Sequence, residues 1–145
     1  MSTDFIIETK EVFKYYEGGH IAALNGVNIQ VKKGEFCLIR GPSGSGKSTL
    51  LHLIGGLDSP SKGELFFAGR SFKQAFKEPK FRLYNIGFVF QAFYLWPTLN
   101  VLENVMLPLM DSGYKNFRKQ DLSDSILEVV GLGHKKTAEK CRLYR

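Results

Sequence analysis

Cysteine is scarce in this 145-residue chain: only Cys37 and Cys141 occur. Two such distant residues make neither a disulfide framework nor a cysteine-rich zinc site. Histidine is nearly as rare. His20, His52 and His134 have no metal-ligand spacing, and none has a carboxylate and a nucleophile at workable spacing for acid–base chemistry. No run of about 18 apolar residues exists, so no transmembrane helix is expected. Met1-Ser2-Thr3-Asp4 lacks the basic patch and apolar stretch of a signal peptide. Repeats of 20–50 residues and low-complexity segments are also missing. These absences predict a reduced, cytosolic protein. With 43% hydrophobic and 23% charged residues it is ordinary globular material, long enough for one domain.

The net charge is +6, unevenly spread. Residues 1–60 hold six basic and six acidic side chains, whereas residues 61–145 hold fourteen and eight. A basic half can face nucleic acid or anionic lipid headgroups. Here the basic residues are scattered, which reads as a solvated surface, and no nucleic-acid partner is expected.

Segments 4–8 and 27–31 carry β-formers and read as strands. Lys33-Gly34-Glu35 reads as a tight turn. Phe36-Cys37-Leu38-Ile39 is short and continuously apolar, which predicts a strand buried on both faces with Cys37 as a small core residue. Residues 47–54 have helical content and Gly55-Gly56 stops them. A turn at 59–63 and a strand at 64–68 follow. Residues 71–84 suggest a helix interrupted by Pro79. Ile86-Gly87-Phe88-Val89-Phe90 predicts a second buried strand. Residues 100–110 suggest a helix kinked near Pro108, and 122–130 an amphipathic helix closed by Gly131 and Gly133. Strands alternating with helices predict an α/β fold with parallel strands. His52 is expected to pack along its helix, and His20 and His134 to lie on the surface.

Between the first apolar run and the first helix lies Gly41-Pro42-Ser43-Gly44-Ser45-Gly46-Lys47-Ser48-Thr49, which matches G-x-x-x-x-G-K-[ST]. Each position has a physical reason. The glycines let successive backbone N–H groups turn inward around a phosphate. The helix starting near Lys47 adds the positive end of its dipole. Lys47 brings a full charge to the β- and γ-phosphates, and the Ser48 hydroxyl is placed for Mg²⁺. Four fixed positions match by chance about once in a couple of hundred such sequences. The motif alone says nucleoside triphosphate and does not choose between kinase, GTPase and transport ATPase.

More residues narrow the choice. Leu24-Asn25-Gly26-Val27 stands upstream. Leu50-Leu51, Gly55-Gly56-Leu57-Asp58 and Ser61-Lys62-Gly63-Glu64 continue the motif, and Ile86–Gln91 and Leu99–Val105 follow downstream. From about Phe5 to Leu132 the chain resembles the ATP-binding subunit of ABC transporters, on the branch of the lipoprotein-releasing, macrolide-export and cell-division ATPases. The resemblance implies a P-loop NTPase of the ABC type. Its nucleotide-binding core, with an antiparallel β subdomain, would occupy residues 1–91, and a helical subdomain residues 92–133. It implies ATP and Mg²⁺ as ligands. Gly41, Pro42, Ser43, Gly44, Ser45, Gly46, Lys47, Ser48 and Thr49 would hold the nucleotide. Tyr16 would stack on adenine, or it is an ordinary exposed tyrosine beside Tyr15. Gln91 matches the Q-loop glutamine, so Lys47 and Gln91 are the catalytic candidates and Ser48 and Gln91 the metal candidates. The aromatic loop Ala92–Leu99 would receive a short helix of a membrane permease subunit, or Phe93 and Trp96 pack beneath the helical subdomain. A second ATPase subunit would complete a two-fold dimer, peripheral on the cytoplasmic face of the plasma membrane.

The sequence also departs from that family. Residues 134–145 read as an aberrant tail and contain no L-S-G-G-Q-like signature loop. No Walker B strand ending in Asp-Glu, D-loop or switch histidine is present. Such an ending is what a frameshift or premature stop would leave. The expected domain is therefore incomplete, lacking the strands that follow the helical subdomain. In the family's sheet two of these lie between the segments at 36–39 and 86–90, so both would face a gap. Marginal stability and negligible ATP turnover by this chain alone are expected. Two other readings compete. One is a non-catalytic module that docks on a permease or an ATPase. The other is a small P-loop kinase, against which the Gly63–Gly69 hairpin and the context of Gln91 argue.

Overall fold

A computed structural model describes residues 4–78 and 80–138. Pro79 and residues 139–145, with Cys141 among them, lie outside the described residues, so the expected break at Pro79 and the end of the tail do too. The chain divides into two compact units, one ending at Phe88 and the other beginning at Val89.

The first unit is built on a long hairpin. Strand β1 (Phe5–Tyr16) pairs antiparallel with β2 (Ile21–Lys32). Both strands are longer than the alternation at 4–8 and 27–31 suggests, because each borrows ladder partners from the other. β1 pairs on its other side with β3 (Lys62–Phe67), which pairs with the short β4 (Arg70–Ser71), giving the order β2-β1-β3-β4. The register slips between Thr9 and Val12. There Thr9 is buried, and its hydroxyl donates to Val27 O (3.0 Å) and accepts from Ile29 N–H (2.9 Å), bridging the irregular ladder.

Helix α1 (Lys47–Ile54) lies on this sheet. Its Leu50 and Leu53 join Val12, Leu24, Leu65 and Phe72 in one buried cluster. The three-residue spacing of Leu50 and Leu53 puts both on one helix face. Helices α2 (Phe72–Ala75) and α3 (Phe81–Asn85) follow, and the rings of Phe72, Phe76, Phe81 and Phe67 form a chain with centroids 4.9–5.1 Å apart. The Gly55-Gly56 pair does more than end α1. A Cβ on Gly55 would fall 1.8 Å from the Phe88 ring, and one on Gly56 2.1 Å from that of Phe76.

Several expectations are corrected here. Neither 36–39 nor 86–90 forms a strand. Phe36 is 90% exposed, Leu38 and Val89 are exposed, and Cys37 is exposed instead of buried. An apolar run supplies strand propensity, but a strand exists only where a neighbour takes its backbone groups. Among the described residues, all strand pairing is antiparallel and within β1–β4. His52 is exposed: it faces away from the side of α1 that carries Leu50 and Leu53. His20 and His134 are exposed, as expected.

The second unit is helical. α4 (Val101–Met106) starts at a capping box: Asn100 Oδ1 accepts from Glu103 N–H (2.9 Å), and Glu103 Oε2 accepts from Asn100 N–H (2.8 Å). A 3-10 turn over Leu107–Leu109 continues it, with Pro108 where its missing N–H costs little. α5 (Asn116–Val129) begins six residues before the expected start and buries Lys119, Ser123 and Leu127. Lys119 Nζ donates to Met110 O (3.0 Å), which satisfies its buried ammonium. The chain returns through 133–138, where Lys136 O and Ala138 O accept the N–H groups of Leu102 and Val101.

Candidate functional site

The glycine-rich segment joins the largely exposed stretch at 36–40, of which Ile39 packs against the core, to α1. Gly46 is its pivot. It caps the helix at φ +84°, and a Cβ there would lie 2.3 Å from Ala23 O and 2.9 Å from Leu24 Cδ2. Any side chain would push the loop off β2, so the position demands glycine for space as well as for conformation. Gly44, at φ +79°, has no atom within 4 Å of a built Cβ, so its surroundings are open.

Within α1 the first turn closes when Leu50 N–H reaches Gly46 O (2.8 Å). The N–H groups of Gly46, Lys47, Ser48 and Thr49 precede that turn and have no helical carbonyl behind them. Lys47 folds back over the loop: its Nζ donates to Pro42 O (2.6 Å) and Ser45 Oγ (3.3 Å). Ser45 N–H also donates to Pro42 O (3.3 Å), drawing the loop into a ring. The result is a closed loop with one ammonium folded over it, ahead of the unpaired N–H groups of the first helical turn. Ser43, Gly44, Ser45 and Ser48 are exposed, so a ligand can reach it. The donor set suits a phosphate chain.

Among the described residues no group of three or more His, Cys, Asp or Glu gathers as a metal site. A Mg²⁺ here would need the Ser48 hydroxyl and the ligand's own phosphates, which is how this ion is commonly bound.

Tyr16 ends β1 on the hairpin whose other strand touches Gly46. It is 38% exposed. Its hydroxyl donates to Asp58 Oδ2 (2.9 Å), and Lys14 Nζ stands 5.0 Å from its ring centroid. The same Lys14 Nζ donates to Asp58 Oδ1 (2.6 Å) and Ser59 O (2.8 Å). Asp58 therefore joins two side chains of β1 to the turn after α1. The Lys14 hydrogen bond, with help from Ser59 N–H and the Tyr16 hydroxyl, outweighs partial burial and holds the Asp58 carboxyl below its ordinary 3.8. The Tyr15 ring takes no part in this: it stacks on Phe13. Sequence reading found the run Gly55-Gly56-Leu57-Asp58 but missed the role of Lys14 and Asp58. The only signal was that Lys14 and Tyr16 share a face of one strand.

Gln91 belongs to the second unit, where it is exposed. In the loop that follows, Trp96 is 61% exposed, with Phe93 and Tyr94 also exposed. Its backbone is nonetheless fixed. Asn104 Oδ1 accepts from Trp96 N–H (2.8 Å), and Asn104 Nδ2 donates to the carbonyls of Trp96, Leu99 and Asn100 (2.9–3.2 Å). Beside it lies an apolar cavity of about 240 Å³, lined by Leu95, Leu99, Val105, Ile126, Val130 and Leu132.

Comparison with known proteins agrees with this geometry. An uncharacterized ABC transporter ATP-binding protein of Methanocaldococcus jannaschii is 44% identical over 133 residues, 88% of this chain and 59% of that protein. The lipoprotein-releasing system ATP-binding protein LolD of Acinetobacter baylyi is 38% identical over 143 residues, 91% of this chain and 60% of that protein. The chain thus spans about three fifths of the length of these relatives. A dimeric, post-hydrolysis structure of the ATP-binding cassette MJ0796 bound to ADP and Pi superposes with a TM-score of 0.82 at 37% identity, over 94% of this chain and 62% of that one. Among the described residues, no helix is long and apolar enough to cross a membrane. The family model described as ABC transporter matches residues 24–143, so this chain belongs to the ABC transporter family, with the α/β fold of an ABC-type nucleotide-binding domain.

Proposed function

We propose that residues 41–49 bind the phosphates of Mg-ATP and that the chain is the nucleotide-binding part of a transport ATPase. One observation carries this reading: Lys47 folds back over the glycine-rich loop onto Pro42 O and Ser45 Oγ at the open start of α1. Gly44, Gly46, Lys47, Ser48 and Thr49 supply N–H groups along the phosphate chain, and Gly41, Pro42, Ser43 and Ser45 shape the ring that presents them. The Lys47 ammonium trades Pro42 O and Ser45 Oγ for β- and γ-phosphate oxygens, a charge-assisted exchange. Mg²⁺, when bound, would supply charge neutralisation to the phosphates. The Ser48 hydroxyl would hold the ion, and Gln91 is at the Q-loop position by sequence. The ring of Tyr16 offers a flat face to adenine.

Residues 1–145 contain no Asp-Glu pair at a strand end and no signature loop to close a site across a dimer. By themselves they bind ATP and do not turn it over, because they lack the Asp-Glu pair whose carboxylate would orient water. The exposed aromatic loop 92–99, with its backbone fixed by Asn104 and an apolar cavity beside it, is the surface offered to a permease subunit at the cytoplasmic face of a membrane. The similarity to LolD supports lipoprotein release as one candidate transport function.

Mg-ATP titration by calorimetry, with phosphate release followed in the same sample, tests the assignment. Saturable binding without turnover, lost in Lys47→Ala, supports it. Turnover by this chain would refute the part assigned to the absent carboxylate. For the second surface, Trp96→Ala is expected to weaken capture of the permease and to leave ATP binding unchanged.

A further inference from the structure

We infer that Asp58 and Lys14 are positioning residues for Tyr16, and through it set the affinity of the site for the base of the nucleotide. This rests on the reading of residues 41–49 and Tyr16 as an ATP site. The geometry is a closed triangle. Asp58 takes the Tyr16 hydroxyl on Oδ2 (2.9 Å) and the Lys14 ammonium on Oδ1 (2.6 Å), and that ammonium stands over the Tyr16 ring (5.0 Å). The triangle is itself anchored. Lys14 Nζ also donates to Ser59 O, Asp58 Oδ1 accepts from Ser59 N–H (2.7 Å), and Tyr15 N–H donates to Ser61 Oγ (3.0 Å). The end of β1 is thereby fixed to the turn that follows α1.

Two consequences follow for the ring. Its hydroxyl is tethered, so the ring cannot swing freely about the strand end. One face is occupied by the Lys14 ammonium, which leaves the opposite face for a stacked base. Lys14 is mostly buried and Asp58 half-buried, so their attraction is less weakened by water than that of a surface pair. Among the described residues, the hydrogen bonds and ion pair of Lys14 and Asp58 run to Tyr16, Ser59 and each other, and none reaches residues 41–49. Their effect should therefore fall on the base and spare the phosphates.

The test compares Mg-ATP with Mg-tripolyphosphate, which has no base, on the full chain. Tyr16→Ala should weaken ATP binding by about tenfold or more, the worth of one stacked base, and leave tripolyphosphate unchanged. Asp58→Ala should weaken ATP by about three- to tenfold, again sparing tripolyphosphate. Lys14→Met and Tyr16→Phe should act in the same direction. In the Tyr16→Ala background Asp58→Ala should add nothing, the signature of two residues acting as one unit. Equal losses for both ligands, or an additive double variant, would show that Asp58 merely supports the fold and would overturn the inference. Unchanged ATP affinity in both Asp58→Ala and Tyr16→Phe would overturn it as well. If Asp58→Ala does not fold, Tyr16→Phe removes the same contact with a single atom and decides alone. No effect from Tyr16→Ala would instead sink the underlying assignment of the ring.

Discussion

Residues 36–39 and 41–54 are neighbours in the chain and opposites in the structure. The first segment is apolar and ends up largely exposed, with Phe36, Cys37 and Leu38 facing outward, only Ile39 packed against the core and no ladder formed. The second begins polar and glycine-rich, yet it holds a defined cradle and a helix whose Leu50 and Leu53 lie in the core. The difference is where each segment finds its partners. Lys47 bonds two and five residues back, Leu50 four residues back, and Gly46 rests on β2, which the hairpin supplies. The apolar segment depends on strands beside it, and none is among the described residues. Hydrophobic residues create a demand for burial; only other elements can meet it.

That contrast can be broken by substitution. Leu53→Ala should have the largest effect on stability, about 3 kcal/mol, because it opens a cavity in the cluster under α1. Urea unfolding reads it directly. Gly46→Ala should cost about 2 kcal/mol, since φ +84° and the 2.3 Å approach to Ala23 O both resist a Cβ. Phe36→Ser should cost under about 0.5 kcal/mol, as an exposed side chain has little to lose. A cost as large as that of Leu53→Ala would mean that Phe36 is covered in solution and would erase the contrast.

Acid and alkali probe the two units separately. Asp58 has a lowered native pKa, chiefly through the Lys14 hydrogen bond. Its contribution is present above about pH 4 and is lost as pH falls through a native value below 3.8. Lys14→Met should flatten that part of the acid limb of the stability curve. In the second unit Lys136 is raised above 10.5, chiefly by its hydrogen bond to Asp124 and then by Glu128. That contribution is full below 10.5 and is lost as pH rises through the higher native value. The Lys136 ammonium is accessible to solvent, so Asp124→Asn should change alkaline stability least of all these variants.

What sequence could show follows the same division. The span of α1, its stop at Gly55-Gly56, the turn at Gly34 and the glycine-rich loop before α1 were legible, because each is written in residues a few positions apart. The capping box of Asn100 and Glu103 begins α4 where the helical pattern does, while the early start of α5 has no side-chain cap and was missed. The state of 36–39 and 86–90 was not legible, since an apolar run looks the same whether or not a neighbour pairs with it. The Lys14–Asp58–Tyr16 triangle was also hidden. It joins positions more than forty residues apart, and its members look ordinary one by one.

The most direct test of the account is Mg-ATP binding by the purified chain, measured by calorimetry beside Lys47→Ala. Saturable binding is expected, weakened by about ten- to a hundredfold in the variant, the worth of charge-assisted hydrogen bonds to the phosphates. A well-folded chain that binds no ATP, or binds it equally well without the Lys47 ammonium, would contradict it.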